Sequence, residues 1–496
     1  MTKAKEKSIL LILGDQLFPL ENIQQIQPDY IFMAEDYGLA SQVQHHKQKI
    51  MLFFAAMREY ATGLRHASLT VIYESLQEGS LTDKLQHHAQ RLKVESIHHF
   101  RVDDQPFRTH LQQSLSQYQL TEHPSPKFMV SPTKFTAYLQ AHKRPFMKSF
   151  YEHIRRDFDI LMEHGKPCGG KYSYDSENRK KLPKGEKIPP RWFPPESETI
   201  QAVRTLVHTH FAKHPGDTES FIWPVTRAGY LRSLDAFIAQ HLEKFGPYQD
   251  ALSCRDPFLF HTLLSPGLNL GLITPQDILV RLQPYTSQYP TRLSSAEGLL
   301  RQIIGWREFV KGIYDHYQEQ METGNYWGHQ RKLQSCWWEG TTGLPPLDDI
   351  IHKSTRYGYA HHIERLMVMA NIFNLLGVHP QEAYRWFMEM YVDSAEWVMQ
   401  ANVYGMGLMS EGGIFATKPY ICGSNYIRRM SDYTPGPWCD VFDGLCWNFI
   451  GKHQEKFRRN PRMAMMVRMY EKLDPDKLAK ITRAAEAFTQ STTLDT

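Results

Sequence analysis

Paired histidines, a high density of aromatic rings and a few ionisable groups fall together in Arg356-Tyr-Gly-Tyr-Ala-His361-His362-Ile-Glu-Arg365-Leu-Met, with Trp386, Asp393, Glu396 and Asn402 downstream. The flanking patterning is apolar and helical. Buried His, Arg and Asp are costly unless partnered. A row of them in one helical setting therefore predicts a large polar guest, most simply a cofactor. The alternative is a set of core polar groups that satisfy one another. One histidine alone favours that alternative; the whole cluster favours the guest.

Three further segments carry chemistry. Asp256-Pro-Phe-Leu-Phe-His261-Thr262-Leu-Leu264-Ser265-Pro-Gly-Leu-Asn269-Leu-Gly puts hydroxyls and free amides on a turn that enters a helix. Such a turn is a seat for a diphosphate, because the first N–H groups of a helix lack internal partners; a Ser-Pro cap is the plainer reading. Arg301-Gln302-Ile-Ile-Gly-Trp306-Arg307-Glu308 offers Gln302 and Trp306 on one helical face. The last segment runs from Trp386 to Gly413.

These segments need a helical scaffold, and from about residue 200 the chain supplies one. Amphipathic runs recur at Ile200 to Phe211, Ala228 to Phe245, Ala296 to Tyr317, Ile363 to Leu376, Pro380 to Met390 and Leu478 to Phe488, separated by Pro- and Gly-rich turns. The first 135 residues alternate differently. Short apolar or β-branched stretches (Ser8–Leu13, Tyr30–Ala34, Leu69–Tyr73, Ile97–Arg101, Lys127–Ser131) are divided by helical periodicity at Gln48 to Ala61 and Leu81 to Lys93. Strands separated by helices predict a doubly wound parallel sheet. The predicted fold is thus an α/β domain over 1–135, a linker over 136–200 rich in Gly, Pro and Lys, and a large all-α domain over 201–496.

The first strand ends in Gly14-Asp15-Gln16 with no GxGxxG, so no dinucleotide fingerprint is present. Ligands of such sheets lie beyond the carboxyl ends of the strands. That places Gly14, Asp15 and Gln16 with Glu35 and Asp36 around one crevice. Asp15 serves equally well as the cap of the next helix.

At 496 residues the chain exceeds one core. A net charge of +4 implies no strong polyanion field, although local patches remain, as in Lys452 to Arg462 with Arg428 and Arg429. The six cysteines are scattered, with no CxxC, which points to a reducing compartment. No apolar run reaches the roughly 18 residues of a membrane span, and the first residues lack a signal-peptide pattern. A cytoplasmic, monomeric protein is expected.

Six motifs then occur in order: Leu-Ser-Pro-Gly-Leu-Asn-Leu-Gly, Gly-Trp-Arg-Glu-Phe, Tyr-Ala-His-His-Ile-Glu-Arg-Leu-Met, Glu-Trp-Val, Ala-Thr-Lys-Pro-Tyr and Ser-Asn-Tyr-Ile-Arg-Arg-Met-Ser-Asp-Tyr. Together they resemble the cryptochrome/photolyase superfamily, specifically its prokaryotic (6-4) photolyase branch. Leu-Ile-Leu-Gly-Asp-Gln-Leu and His45-His-Lys-Gln-Lys-Ile extend the likeness to the N-terminus. The resemblance implies FAD in the helical domain, a 6,7-dimethyl-8-ribityllumazine antenna in the α/β domain, and light-driven electron transfer to a (6-4) photoproduct in UV-damaged DNA.

Carried over by position, His361 and His362 face the lesion and handle its proton, with Met406 and Tyr420 in the lesion pocket and Trp306 as a stacking wall. FAD would be held by His261, Thr262, Leu264, Ser265, Asn269, Gln302, Arg307, Arg365, Asp393, Glu396 and Asn402, with Arg365 and Asp393 as an ion pair beside the ring. Trp386 and Trp338 match electron carriers, while Phe387 stands where a Tyr is usual. Gly14, Asp15, Gln16, Glu35 and Lys49 match the antenna site.

Two departures stand out. The family's four-iron cluster takes cysteines at positions that here read Pro346, Thr434 and Pro437, and thiolates are what such clusters need. No metal is therefore expected, unless Cys336, Cys422, Cys439 and Cys446 rearrange into a new site. Met399 replaces a carboxylate near the flavin, and a thioether moves no proton. The alternatives are a photosensory cryptochrome that does not repair, or repair of cyclobutane dimers. A light-independent flavin oxidoreductase would need a nicotinamide site that the sequence does not contain.

Overall fold

The computed structural model describes residues 7–288 and 292–495. β1 (Ser8–Leu11), β2 (Tyr30–Ala34), β3 (Val71–Glu74), β4 (Ser96–Phe100) and β5 (Gln119–His123) form one parallel sheet in the order β3-β2-β1-β4-β5. Ile9 of β1 pairs with Tyr30 on one side and Ile97 on the other. Ile9, Leu10 and Leu11 are all buried, as a central strand covered on both faces requires. The helices Lys47–His66 and Leu81–Leu92 lie where the periodicity put them. Ser80 and Asp83 form a reciprocal cap that starts the second of these. Strand order reverses beside β1, where Gln16 Nε2 donates to the carbonyls of Phe100 and Arg101 at 3.3 and 3.2 Å.

Two expectations fail here. Lys127–Ser131 is not a strand. The N–H groups of Met129 and Val130 donate to the Glu308 carboxylate at 3.1 and 3.0 Å, so a side chain takes the donors that a ladder would have used. The fifth strand is instead the polar Gln119–His123 at the sheet edge, whose exposed side chains hide it from an apolar search. Asp15 caps nothing: the helix Leu20–Gln24 starts after Pro19, and Asp15 accepts from Lys127 Nζ at 2.8 Å.

Beyond the sheet the described residues form helices and loops, with the two-residue strand pairs Met162–Glu163 with Lys166–Pro167 and Lys332–Leu333 with Thr493–Leu494. Helices Glu198–His210, Pro380–Met390 and Pro475–Thr492 follow the predicted runs. Two long runs are interrupted. Arg301–Arg307 is π-helical between Leu293–Leu300 and Glu308–Thr323, and Glu364–Ala370 is π-helical before Asn371–Leu376. A third π segment spans Gln400–Gly407. Such wide turns concentrate at functional sites.

One apolar core runs through both regions, from Leu10, Met51 and Phe54 to Tyr230, Phe258, Leu264 and Trp397. Charges reinforce the junction. Lys127, fully buried, sits 2.8 Å from Asp15 and 2.9 Å from Asp103, and Lys311 reaches Asp103 at 3.6 Å and Asp315 at 2.6 Å. Burial pushes the Glu308 carboxyl up to about 7, against the pull of Arg307. No helix among the described residues is long and apolar enough to cross a membrane.

Candidate flavin and lesion site

The three π segments carry Gln302, Trp306, Arg307, Arg365, Asn402 and Met406, so the interrupted helices are the ones that bear candidate site residues. At the centre, Arg365 meets Asp393 through two bonds, Nη1–Oδ1 at 2.8 Å and Nη2–Oδ2 at 3.2 Å. The paired geometry suits a guanidinium. Ser265 Oγ donates to Asp393 Oδ2 at 2.6 Å, and Asn269 Nδ2 donates to the Asp393 carbonyl at 2.8 Å. Four predicted residues from three separate segments thus form one knot. Burial works against the Arg365 cation, but Asp393, Tyr391 and Tyr359 together outweigh it and keep its pKa raised.

Tyr391, which the sequence reading passed over, backs this knot: the Arg365 guanidinium lies 3.8 Å over its ring. The same ring meets Trp386 at 5.7 Å, edge to face. Trp386 is fully buried and donates Nε1–H to the Trp337 carbonyl at 2.9 Å, while Phe373 touches both Trp337 (4.7 Å) and Trp386 (5.7 Å). Trp338 lies further out, donating to Glu389 Oε2 at 2.9 Å under the Arg385 guanidinium. An aromatic run of Trp337, Phe373, Trp386 and Tyr391 therefore ends on the Arg365–Asp393 pair. Alternation of aromatic and apolar residues gave no sign of it, because core packing looks the same in sequence.

The histidines divide. His361 is buried and stacks on His261, with centroids 4.4 Å apart and planes 10° from parallel. Neither nitrogen of His361, nor Nε2 of His261, finds a hydrogen-bond partner. Burial, then the Lys353 charge, hold His361 well below the ordinary value. His362 is different: its surface is exposed, yet burial and then Arg365 pull it to about 4. Its ring is reached by solvent although protein crowds it.

Met406 joins Leu366 and Met367 in a small apolar cluster against which Trp306, Ile363, Phe415, Tyr420, Cys422 and Tyr426 pack. The three residues predicted for a lesion pocket are thereby brought together. The short helix Ser424–Met430 sends Tyr426 into this cluster and leaves Arg428 and Arg429 exposed, and Lys181 Nζ of the linker donates to the Arg428 carbonyl at 3.3 Å.

Other candidates are engaged differently. Arg307 donates to the carbonyls of Lys127 (2.7 Å) and Leu268 (3.2 Å), sandwiched between Phe128 at 4.4 Å and Trp397 at 5.1 Å. Glu396, raised to about 7 by burial, bonds Tyr384 and Gln400. Gln302 and Asn402 donate to the carbonyls of Gly298 and Val398 at 3.3 and 2.8 Å. Thr262 Oγ1 accepts from the N–H of Leu264, itself fully buried.

A flavin nucleotide fits these residues. His261, Thr262, Ser265, Asn269, Arg365 and Asn402 are all partly accessible polar side chains, and the buried ring nitrogens of His361, with Nε2 of His261, lack partners. Buried polar atoms without partners are rare in native proteins, and a polar guest would satisfy them.

The antenna candidates are more dispersed. Gly14 packs under Phe53 and Met57 of the helix Lys47–His66. Glu35 takes Arg58 at 2.6 and 3.0 Å and the Tyr73 hydroxyl at 2.8 Å. Lys49, which burial lowers to about 7, donates to Ser394 Oγ at 2.9 Å and lies 3.2 Å from His45 Nδ1. Among the described residues no hydrogen bond or ion pair joins any two of Gly14, Asp15, Gln16, Glu35 and Lys49.

The residues at the cluster positions have backbone roles. Pro346 lies in the first turn of the helix Pro345–Tyr357, the Thr434 carbonyl accepts from Trp438 Nε1 at 2.9 Å, and Pro437 precedes the helix Trp438–Lys452. Cys422 and Cys446 are near neighbours, and burial raises both thiols. Among the described residues no three His, Cys, Asp or Glu side chains are grouped to hold a metal ion. This donor set does not fit a four-iron cluster.

Residues 10–223 match the family model "Deoxyribodipyrimidine photo-lyase-related protein", and residues 299–435 match "FAD binding domain of DNA photolyase". A (6-4) photolyase of Agrobacterium fabrum is 32% identical over 97% of this chain and 98% of its own length. Two solved structures share the fold over 99% of the chain. A bacterial class III photolyase from Agrobacterium tumefaciens has a TM-score of 0.55 at 18% identity over 99% of its own chain. A cryptochrome of Synechocystis sp. PCC6803 has 0.60 at 13% over 100% of its own.

Proposed function

Because the chain belongs to the photolyase/cryptochrome superfamily, in its bacterial (6-4) photolyase branch, we propose that it repairs (6-4) photoproducts in DNA by light-driven electron transfer, with His361 and His362 managing the proton. The observation that carries this reading is the grouping of Met406, Tyr420 and Trp306 in one apolar cluster, against which Ile363, the residue after His362, also packs.

FAD, when bound, would supply the photochemical electron and take it back. The chain's own residues do the rest. Arg365 and Asp393, held by Ser265 and Asn269, would orient the flavin ring and place a fixed cation where negative charge develops. His261, Thr262 and Asn402 would hold the remainder of the nucleotide. A lesion flips from the duplex cheaply because its pairing and stacking are already damaged. Trp306, Tyr420 and Met406 would enclose the flipped bases and exclude water. His362, open to solvent, would deliver the proton that lets a hydroxyl move between the two bases. Arg428, Arg429 and Lys181 would contact phosphates and position the DNA without reading its sequence. Trp386 and Trp338, with Tyr391 against Arg365, would carry electrons in from the surface. Lumazine in the α/β domain, at Gly14, Asp15, Gln16, Glu35 and Lys49, belongs to the same proposal. So do the monomeric state, a cytoplasmic location and the division of the chain into 1–135, 136–200 and 201–496.

Illumination of the purified, reduced protein with a (6-4)-containing oligonucleotide, followed by chromatography, tests the reading. Repaired product above the dark control is expected; none would overturn it. A parallel oligonucleotide with a cyclobutane dimer reports lesion preference. One observation favours a second reading, a photosensory cryptochrome: buried Met399 stands where a carboxylate is usual, and it can neither take up nor return a proton.

We also infer that this member binds no iron–sulfur cluster. Analysis of iron and acid-labile sulfide is expected to return none, and about four irons per chain, as a four-iron cluster would give, would overturn the inference.

A further inference from the structure

Lys353, on the helix Pro345–Tyr357, has its buried ammonium between two carboxylates: Asp349 Oδ2 at 2.7 Å and Glu364 Oε1 at 2.9 Å. The Ser253 carbonyl accepts a third bond at 2.9 Å. Asp349 Oδ2 also accepts from the Tyr433 hydroxyl at 2.5 Å. On the other side, Glu364 Oε2 accepts the backbone N–H of His361 at 3.2 Å, and Glu364 Oε1 stands 3.6 Å from His361 Nε2. A buried chain of polar groups thus runs from Tyr433, in the loop that bears Thr434 and Pro437, to the ring of His361. The roles assigned above use none of its first four members.

We propose that Glu364 and Lys353 are positioning residues for His361: the carboxylate keeps the imidazole proton on Nε2 and the lone pair on Nδ1, and Lys353 sets how strongly it does so. This rests on reading His361 as a proton-handling residue.

An ionised carboxylate only accepts, so the ring nitrogen that faces it must carry hydrogen. The tautomer of a histidine follows from the bond its other nitrogen makes. At 3.6 Å the contact is about half an ångström longer than a hydrogen bond, and a proton gained by the ring would shorten it. The surroundings give Glu364 its weight. His362 and Arg365 from the same segment, Lys353 from the neighbouring helix and His261 stacked beneath all oppose a positive ring. Glu364 is the one carboxylate beside it among the described ion pairs. Two carboxylates and one ammonium leave one net negative charge in the chain, and an imidazolium at His361 would balance it.

The test uses the full-length dark protein with isotope-labelled histidine, read by NMR, beside the pH profile of repair. In the parent protein His361 should carry its proton on Nε2. Glu364→Gln should mix the tautomers and lower the His361 titration midpoint by about one pH unit or more. Lys353→Met should raise that midpoint, because it removes the charge that opposes a positive ring most. The repair profile should move with the midpoint. In Glu364→Gln, kcat should fall on the order of tenfold at unchanged KM for the lesion, less than the loss of a general acid itself. Unchanged tautomer and midpoint in both variants would overturn the proposal. If Lys353→Met does not fold, the nearly isosteric Glu364→Gln decides alone. A parent protein that repairs nothing would sink the functional reading and leave the NMR result standing, so the two failures are distinguishable.

Discussion

His362→Ala is expected to slow repair by about 10²- to 10⁴-fold, the usual range for removing a positioned acid or base, while FAD stays bound. His362 is the one of the two paired rings with open surface, and the Arg365–Asp393 knot lies beyond it. Burial and the Arg365 charge hold His362 near 4, so it is neutral around pH 7 before DNA arrives. A bound phosphate backbone brings negative charge, which favours the protonated ring. Removing the ring should therefore cost turnover and leave the flavin spectrum, and binding of lesion DNA, close to those of the parent. Single-turnover repair under saturating light is the measurement. Repair within a few fold of the parent would remove His362 from the mechanism and leave His361 to carry it.

Asp393→Ala should be the most destabilising change at the site. It strands the Arg365 guanidinium among Ala360, Tyr391 and Tyr359, and it deprives Ser265 of its acceptor. Breaking a buried pair on one side typically costs about 3–5 kcal/mol. Asp393→Asn keeps an oxygen for Ser265 but loses the charge, so it should fall between the parent and the alanine variant. Chemical unfolding of the three proteins without added FAD gives the stability order, and flavin fluorescence released on dilution gives retention. If Asp393→Ala is as stable as the parent and keeps its flavin, the ion pair is incidental.

Much of the architecture was legible in the sequence because two periods differ. Short apolar stretches such as Ile9 to Leu11 mark the inner strands, and the 3.6 period marks the helices. What escaped was decided by partners remote in sequence. Lys127–Ser131 looks like a strand, but Glu308, nearly two hundred positions on, claims its donors. Gln119–His123 looks like a loop and pairs as an edge. The π segments escaped because each is only seven or eight residues long, too few apolar positions for a changed period to show. At the site, motif spacing identified Ser265, Asn269, Arg365 and Asp393, which the fold unites. The partners of Arg307, which lies between Phe128 and Trp397, were not legible, because an Arg in a motif carries no sign of which carbonyls it will meet. Lys353 and Glu364 were invisible as a pair: each reads as one polar residue on a helix, eleven positions apart.

The junction at Arg307, Lys127 and Glu308 has a consequence for the molecule as a whole. The sheet region and the helical region share one apolar core, and the charges along their seam are matched across it. Parting the halves would expose the shared apolar core to water and break the ion pairs that Lys311 and Arg101 make across the seam. A protease cut in the stretch 178–197, which has no helix or strand, should therefore release nothing: the two pieces stay associated and melt in a single calorimetric transition. Each piece made alone would be expected to aggregate.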